Sequence, residues 1–166
     1  MLLSGLSEDR IADLLFMHLR NMWAVDGLYY LGIEEKHGTE EATRIDANVW
    51  RVMGKIEGRR LKKFLGLGDG LENMVQALKF SGWMMDIEEK AWTEKGGVWT
   101  FKNLNCRIQN TRLKEGLPIF GCKAVRFDYL KEFAKVFGED IVVDCVQCPP
   151  DELKGGWWCQ WTFKRV

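Results

Sequence analysis

Residues 141–164 of the chain read IVVDCVQCPPDELKGGWWCQWTFK, and this stretch decides how we expect the C-terminal half to fold. Ile141, Val143 and Cys145 occupy alternate positions, which predicts a strand with one buried face. The same alternation resumes beyond two prolines, at Trp157, Cys159, Trp161 and Phe163. The chain is therefore expected to end in two neighbouring strands joined through a proline turn.

A two-residue period also occurs earlier in the chain. Residues 83–93 and 98–103 read as extended runs on either side of a Gly-containing connection at 94–97, which is typical of a hairpin. Between the two strand pairs, the spacing of apolar residues over 125–137 predicts an amphipathic helix that ends at Gly138. A short helical segment is also expected around 108–113.

Before residue 83, apolar residues recur every three or four positions, which indicates helices. Ser7 is the expected N-cap of a first helix. That helix is expected to bury Ile11, Leu14, Leu15, Leu19 and Met22. Further helices are expected over 28–37, closed by Gly38, over 39–64, and from 71 to a stop at Gly82.

Together these patterns predict an α+β fold in a single domain spanning residues 1–166. Residues 1–82 form its helical part. Residues 83–166 are expected to form an antiparallel sheet in the order ββαββ, with helices covering one face.

The composition narrows the possible functions. Lys and Arg together number 24, as do Asp and Glu, so no net charge attracts the protein to nucleic acid or to an anionic membrane. No apolar run approaches the roughly 20 residues that span a bilayer. The N-terminus lacks the pattern of a signal peptide, so we expect a cytoplasmic protein.

The five cysteines all lie after residue 105, and their placement predicts a metal site. Cys145 and Cys148 form a Cys-x-x-Cys pair at the end of a predicted strand, and Cys159 lies on the returning strand. Cys122, just before the predicted helix, can supply a fourth thiolate, with Cys106 in reserve. Four thiolates suit a structural zinc ion, and such a site has no open position for a substrate.

Three other interpretations of the cysteines remain open. They could hold an iron–sulfur cluster, although the usual tight run of cysteines is absent. The Cys-x-x-Cys pair could be a redox centre, although two prolines follow it where a helix would lower a thiol pKa. The cysteines could also simply be small buried apolar residues.

The chain is rich in aromatic residues, with eight Trp and nine Phe, and such side chains fill a core or line a ligand cavity. We expect an apolar pocket between the N-terminal helices and the sheet. Its expected wall consists of Trp23, Tyr29, Trp50, Trp99 and Phe101. Possible polar anchors among these aromatics are Asp26, Glu35 and Asp46.

The order and spacing of Cys122, Cys145, Cys148 and Cys159 resemble the zinc ligands of the 4-vinyl reductase domain family, specifically its phenol-sensing members. The first two spacings are the same and the last is longer. This resemblance implies a small-molecule-binding domain in which these cysteines hold a structural zinc. The sensors also carry a His and a Trp for the ligand hydroxyl, whereas this chain has Phe101 near the Trp position and no matching His.

A second resemblance covers most of the chain. It is to an uncharacterised prokaryotic family related to the L-2-amino-thiazoline-4-carboxylic acid hydrolases. The similar stretches are Asp26-Gly27-Leu28-Tyr29, Glu34-Glu35 through Val49-Trp50, Cys106-Arg107-Ile108-Gln109, and Cys148-Pro149-Pro150-Asp151 through Cys159-Gln160-Trp161.

The sequence thus predicts a sensor-like domain that binds a small apolar or aromatic molecule and contains a structural zinc. One alternative is a hydrolase of a small cyclic amide-type substrate, with Asp26, Glu35 or Asp46 as acid or base. No nucleophile paired with a base is legible for it. Another alternative is an iron–sulfur protein, or a structural or interaction protein that forms a homodimer through exposed helix faces.

Overall fold

The computed structural model describes residues 3–166. The chain forms two compact units, the first ending at Ala42 and the second covering Thr43–Val166. No helix within 3–166 combines the length and apolar character needed to cross a membrane. In chain order the elements are α1 (Glu8–His37), α2 (Thr39–Phe64), α3 (Leu71–Lys79), α4 (Gly82–Asp86), β1 (Lys90–Lys95), β2 (Val98–Asn103), α5 (Arg107–Lys114), α6 (Cys122–Lys135), β3 (Ile141–Gln147) and β4 (Cys159–Arg165).

The four strands form one antiparallel sheet in the order β1-β2-β4-β3. Phe101 on β2 lies opposite Trp161 on β4, which in turn lies opposite Cys145 on β3. The α+β class and the helical N-terminal part are confirmed. The order differs from ββαββ in one respect, since both α5 and α6 lie between β2 and β3.

Helix α1 is a single helix of 30 residues, so the prediction of two helices before Gly38 was wrong. The Ser7 side chain accepts a hydrogen bond from the Arg10 amide, and Gly38 ends the helix with a φ of 84°. Gly27 and Gly32 lie inside the helix, where a glycine costs only about 1 kcal/mol and does not by itself end it.

The expected burial of the first apolar stripe was also wrong. Ile11, Leu15 and Met22 are exposed, and Leu14 and Leu19 are half-buried. Their spacing correctly placed them on a helix, but a helical period does not by itself show which face is buried.

The first predicted strand begins later than expected. Trp83 lies in the short helix α4 rather than at the start of a strand, because the Ser81 side chain caps that helix by accepting from the Met84 amide. The strand itself starts at Lys90.

The core of the second unit is aromatic and lies between the sheet and its helices. Phe101, Tyr129 and Trp161 are completely buried. The Trp83 ring meets the Phe101 ring edge to face, with centroids 5.4 Å apart. Trp50 meets Tyr129 in the same way at 5.9 Å, so these rings fill the interior of the unit.

Helix α2 approaches the backbone of α6 unusually closely at Gly54. A Cβ atom at this position would lie 2.3 Å from the Tyr129 carbonyl oxygen. One turn later, Glu57 accepts a hydrogen bond from the Tyr129 hydroxyl at 2.8 Å and another from the Gly82 amide at 2.7 Å. Gly54 and Glu57 thus fix α6 and the start of α4 against α2.

Candidate metal centre

The four cysteines predicted to hold a metal come from three elements that meet at one end of the sheet. Cys122 is the first residue of α6, Cys145 lies in β3 and Cys159 is the first residue of β4. Cys148 directly follows β3, beyond a register irregularity between Cys145 and Gln147. All five cysteines of the chain are free thiols.

Cys148 lies at the centre of this group, which we call the thiol cluster (Cys122, Cys145, Cys148 and Cys159). Its side chain is completely buried, and its Sγ atom lies 3.4 Å from the Sγ atom of Cys122. The thiols of Cys145 and Cys159 lie close enough to Cys148 to act on its pKa. The four predicted cysteines, which span 37 positions of the sequence, therefore lie in one region of the structure.

Electrostatics within the cluster favour the proton on Cys148 over Cys122 and Cys145. The three neighbouring thiols, beginning with Cys122, and then burial raise the pKa of Cys148. The hydrogen bond from Cys148 is the main cause that lowers the pKa of Cys122 and of Cys145. Arg126 further favours the Cys122 thiolate and Lys123 the Cys145 thiolate.

The thiols contact one another but do not yet surround a common point. Within residues 3–166, no group of three or more Cys, His, Asp or Glu side chains has the arrangement of a metal site. Zn–S bonds of about 2.3 Å place tetrahedral sulfur ligands about 3.8 Å apart. The Sγ atoms of Cys122 and Cys148 lie 3.4 Å apart, which is shorter than this and is typical of two thiols joined by a hydrogen bond. The donor set of four thiols fits zinc chemically.

Asp151 holds the turn that carries Cys148. Its carboxylate accepts from Lys123 Nζ at 2.9 Å and from the Cys148 amide at 3.3 Å. The Lys123 amide donates to the Pro149 carbonyl oxygen at 2.9 Å, across a turn whose Pro149–Pro150 peptide is cis. The Cys-Pro-Pro-Asp sequence thus fastens Cys148 to the first turn of α6, beside Cys122.

Gln109 on α5 supports the cluster from the other side, a role that cysteine spacing could not reveal. Its amide donates to the Phe120 carbonyl oxygen at 2.7 Å and accepts from the Phe120 amide at 2.9 Å. The same nitrogen lies 3.7 Å from Cys122 Sγ. The available signal was its position three residues after Cys106, in a stretch shared with a resembling family.

Cys106, the reserve ligand, lies near the cluster without being one of its hydrogen-bonded members. Burial raises its pKa to about 11, and the nearby Cys122 and Cys159 add to this effect. Cys106 therefore stays a reserve candidate beside the cluster.

A small cavity of about 20 Å³ borders the cluster. That volume holds about one water molecule. Asn103 lines the cavity, and its buried Oδ1 atom has no hydrogen-bond partner among the described residues. Polar and sulfur-bearing residues around the cavity are Asn103, Cys106, Gln109, Cys122, Arg126 and Cys159, and Trp83 and Trp158 border it as well.

The residues expected to form the pocket wall have diverse surroundings. Phe101 and Trp50 are buried within the aromatic core, and Trp99 is half-buried with its indole N–H donating to Glu72 at 3.0 Å. Tyr29 is exposed and Trp23 is buried, both on α1. The wall stays a prediction, and Phe101 packs against the rings of Trp83 and Trp92.

The three expected polar anchors are distributed over two helices. Asp26 and Glu35 lie on α1, the former half-buried and the latter exposed, and Asp46 lies half-buried on α2. Asp26 and Glu35 belong to the first compact unit, and Asp46 belongs to the second. Their proposed roles as acid, base or ligand anchor stay predictions.

The fold and the cluster define a class of protein, namely an α+β domain with four cysteines gathered where a helix meets two strands. The chain belongs to the family of unknown function DUF6125, whose model matches residues 4–165. That match covers every element described above. No curated protein matches the chain.

Proposed function

We propose that this protein is a small-molecule-binding, sensor-like domain whose C-terminal strands are braced by a structural zinc ion on Cys122, Cys145, Cys148 and Cys159. The observation that carries the proposal is the 3.4 Å contact of the buried Cys148 thiol with Cys122, together with the influence of Cys145 and Cys159 on the pKa of Cys148. A cytoplasmic location goes with it, because reducing conditions keep such thiols available for metal.

Zinc suits this donor set for a physical reason. Four thiolates carry a charge of −4, and a divalent ion halves the net charge of the site. Lys123 and Arg126 supply positive charge nearby, since each favours a thiolate in the cluster. The zinc would join the start of α6 to both C-terminal strands, and would replace hydrogen bonds between thiols with metal bonds.

The small cavity beside the cluster supports the ligand-binding part of the proposal. Asn103 Oδ1 is a buried acceptor that needs a donor, and Trp83 and Trp158 offer apolar surface next to it. A ligand of several hundred Å³ exceeds the present cavity, so binding requires the surrounding side chains to move. A ligand with an apolar body and one hydrogen-bond donor fits these features best.

Elemental analysis and native mass spectrometry of the purified chain test the metal site. We expect one zinc per chain, lost in the Cys148→Ser and Cys159→Ser variants and retained in the Cys106→Ser control. Protein free of metal when purified in zinc-supplemented buffer would contradict the proposal. Bound iron with visible absorbance would replace zinc by an iron–sulfur cluster.

The same native spectra test ligand binding. We expect an additional mass of a small organic molecule on the zinc-loaded chain, released on denaturation. Asn103→Ala removes the buried acceptor and should lower the bound fraction, whereas Asn110→Ala, on the exposed side of α5, should leave it unchanged. A zinc-loaded chain that never carries or takes up such a molecule from cell extract would contradict the sensor-like role while leaving the zinc site intact.

A further inference from the structure

The C-terminal parts of helices α2 and α6 border an open groove that neither the thiol cluster nor the proposed ligand cavity includes. Its volume is about 630 Å³, within the range of pockets that bind small molecules. Helix α6 begins at Cys122, in the thiol cluster, and the groove lies at its other end, beside Lys135. About 20 Å of helix separates the two places, so the groove is a separate feature of the second unit.

The groove is rich in positive charge. Its lining contains two carboxylates, those of Glu132 and Glu139, and five cations, those of Lys55, Arg59, Lys62, Lys63 and Lys135. The whole chain has as many acidic as basic residues, so this excess is local. We call the feature the basic groove.

Only some of these cations are neutralised by the protein itself. Lys62 pairs with Asp69, and Lys135 pairs with Glu132 at 2.6 Å. Within residues 3–166, the lining cations that form no ion pair are Lys55, Arg59 and Lys63. The basic groove therefore keeps positive charge that an anion from outside can neutralise.

The spacing of the three unpaired cations favours a bound anion. Lys55, Arg59 and Lys63 follow one another at steps of four residues, so they lie in one row along α2. Like charges at this spacing repel one another and destabilise a helix. The helix dipole accounts for Lys63, in the last turn, but its effect fades before Arg59 and Lys55. An anion in the groove would relieve the repulsion along the row.

We propose that the basic groove binds a small molecule that carries a chain of two or more phosphate groups. The row from Lys55 to Lys63 extends for about 12 Å, which a chain of phosphates can follow and a single phosphate cannot. Arg59, at the centre of the row, has the planar fork of donors that matches phosphate oxygens.

A small molecule suits the basic groove better than nucleic acid or an anionic membrane. The groove is concave and limited in volume, and its carboxylates at Glu132 and Glu139 would repel a polyanion that extends past the row. The neutral chain also provides no long-range attraction for such a polymer or surface. Free oligophosphates and nucleotides both carry the required phosphate chain, and the experiment separates them.

Isothermal titration calorimetry of the full chain with inorganic triphosphate, in magnesium-free buffer at two salt concentrations, tests the proposal. We expect one triphosphate to bind per chain, with a dissociation constant that rises by more than about tenfold in Arg59→Gln and in Lys55→Gln. The matched control is Arg60→Gln, which removes the same charge from an exposed position of α2 outside the groove. Its dissociation constant should stay within about twofold of the wild-type value, because water and salt screen distant charges.

Circular dichroism checks that each variant keeps its helix content, as expected at exposed positions. The Arg59→Lys variant keeps the charge and should bind more tightly than Arg59→Gln. Absence of saturable binding overturns the proposal, as does binding that is unchanged in Arg59→Gln. Equal weakening in Arg60→Gln overturns it too, because only the overall charge would then matter.

The choice of anion tests the chemistry of the ligand. Citrate carries less charge and should bind at least about tenfold more weakly than triphosphate, and equal affinity overturns the phosphate assignment. A nucleoside triphosphate that binds more tightly than triphosphate assigns the phosphate chain to a nucleotide, whereas equal binding assigns it to a free oligophosphate, and both results support the site. Tighter binding to single-stranded RNA or to vesicles containing phosphatidylserine, lost in Arg59→Gln, overturns the proposal.

Discussion

Helices α1 and α6 both carry apolar stripes of helical period, but Ile11, Leu15 and Met22 of α1 are exposed whereas the stripe of α6 is buried. The buried residues of α6 include Val125, Tyr129, Leu130, Phe133 and Ala134. In α1, with 30 residues, the buried residues are Trp23 and Tyr30. The difference lies in what each helix meets and not in its own pattern.

A helical period specifies which side chains share a face, whereas burial requires a complementary surface from elsewhere. Helix α6 has two such surfaces, the apolar face of the sheet and the close approach of α2 at Gly54. The exposed stripe of α1, with Ile11, Leu15 and Met22, has none among the described residues of its own unit. The following predictions test this contrast, beginning with the largest expected effect.

The most direct test truncates one leucine on each helix. Leu130→Ala empties a completely packed position and should lower the free energy of unfolding by about 3 kcal/mol. Leu15→Ala removes an exposed side chain and should cost less than about 0.5 kcal/mol at low protein concentration. Chemical denaturation measures both.

Concentration provides the control for that comparison. If α1 pairs with a second copy, the loss in Leu15→Ala should grow with protein concentration, while the loss in Leu130→Ala should not. Equal losses at every concentration would mean that the stripe of α1 is covered within its own chain.

Glycine substitutions give the second test. Gly54→Ala places a Cβ atom 2.3 Å from the Tyr129 carbonyl oxygen and should destabilise the protein by about 2 kcal/mol, because two helix backbones must separate. Gly27→Ala, in α1, meets no atom within 4 Å and should be neutral or stabilise by up to about 1 kcal/mol. A harmless Gly54→Ala would contradict the close packing of α2 on α6.

Tyr129 gives a pH-dependent test. Burial, followed by the nearby Glu57 carboxylate, raises the pKa of Tyr129 well above its usual value. Below about pH 10 the hydroxyl is neutral in both states, so its contribution is fully present. Above that, the unfolded chain releases the proton while the folded chain retains it, and stability falls as pH rises.

Tyr129→Phe should therefore lose about 1 kcal/mol near pH 8, from the missing hydrogen bond to Glu57. It should also lose less stability than the wild-type chain between about pH 9 and about pH 11. Denaturant titrations at several pH values measure this, with Tyr29→Phe, at an exposed position, as the control. Parallel pH curves for wild type and Tyr129→Phe would show that the buried hydroxyl is not the cause.

Sequence patterns gave most of the secondary structure because those patterns are local. The alternation at Ile141, Val143 and Cys145 and the helical spacing after Val125 both predicted the correct element. The prediction failed where a neighbour decides the outcome. Trp83 was placed in a strand because residues 83–93 show a two-residue period, but the Ser81 side chain caps a short helix there.

The candidate site could be predicted only in its cysteines. Their spacing is visible along the chain, whereas the supports are not. Gln109 hydrogen-bonds the amide and the carbonyl of Phe120, and Asp151 accepts from Lys123. These contacts form only once α5 and α6 are in place. Asn103 reaches the cavity because β2 pairs with β4 opposite Cys159, and the pairing of strands is not a local property.

The outer face of α6 gives the smallest expected effect. Lys135 donates a hydrogen bond to Glu132 at 2.6 Å, and this contact lowers the pKa of Glu132. Stability from the pair is thus present above the usual Glu pKa and is lost as pH falls. Lys135 is exposed, so water and salt screen the pair. The Glu132→Gln variant should therefore have the melting temperature of the wild-type chain at neutral pH, within error, at both low and high salt. A clear decrease would mean that the pair is less screened by water than an exposed pair, and the contrast between the two helices would not extend to this face of α6.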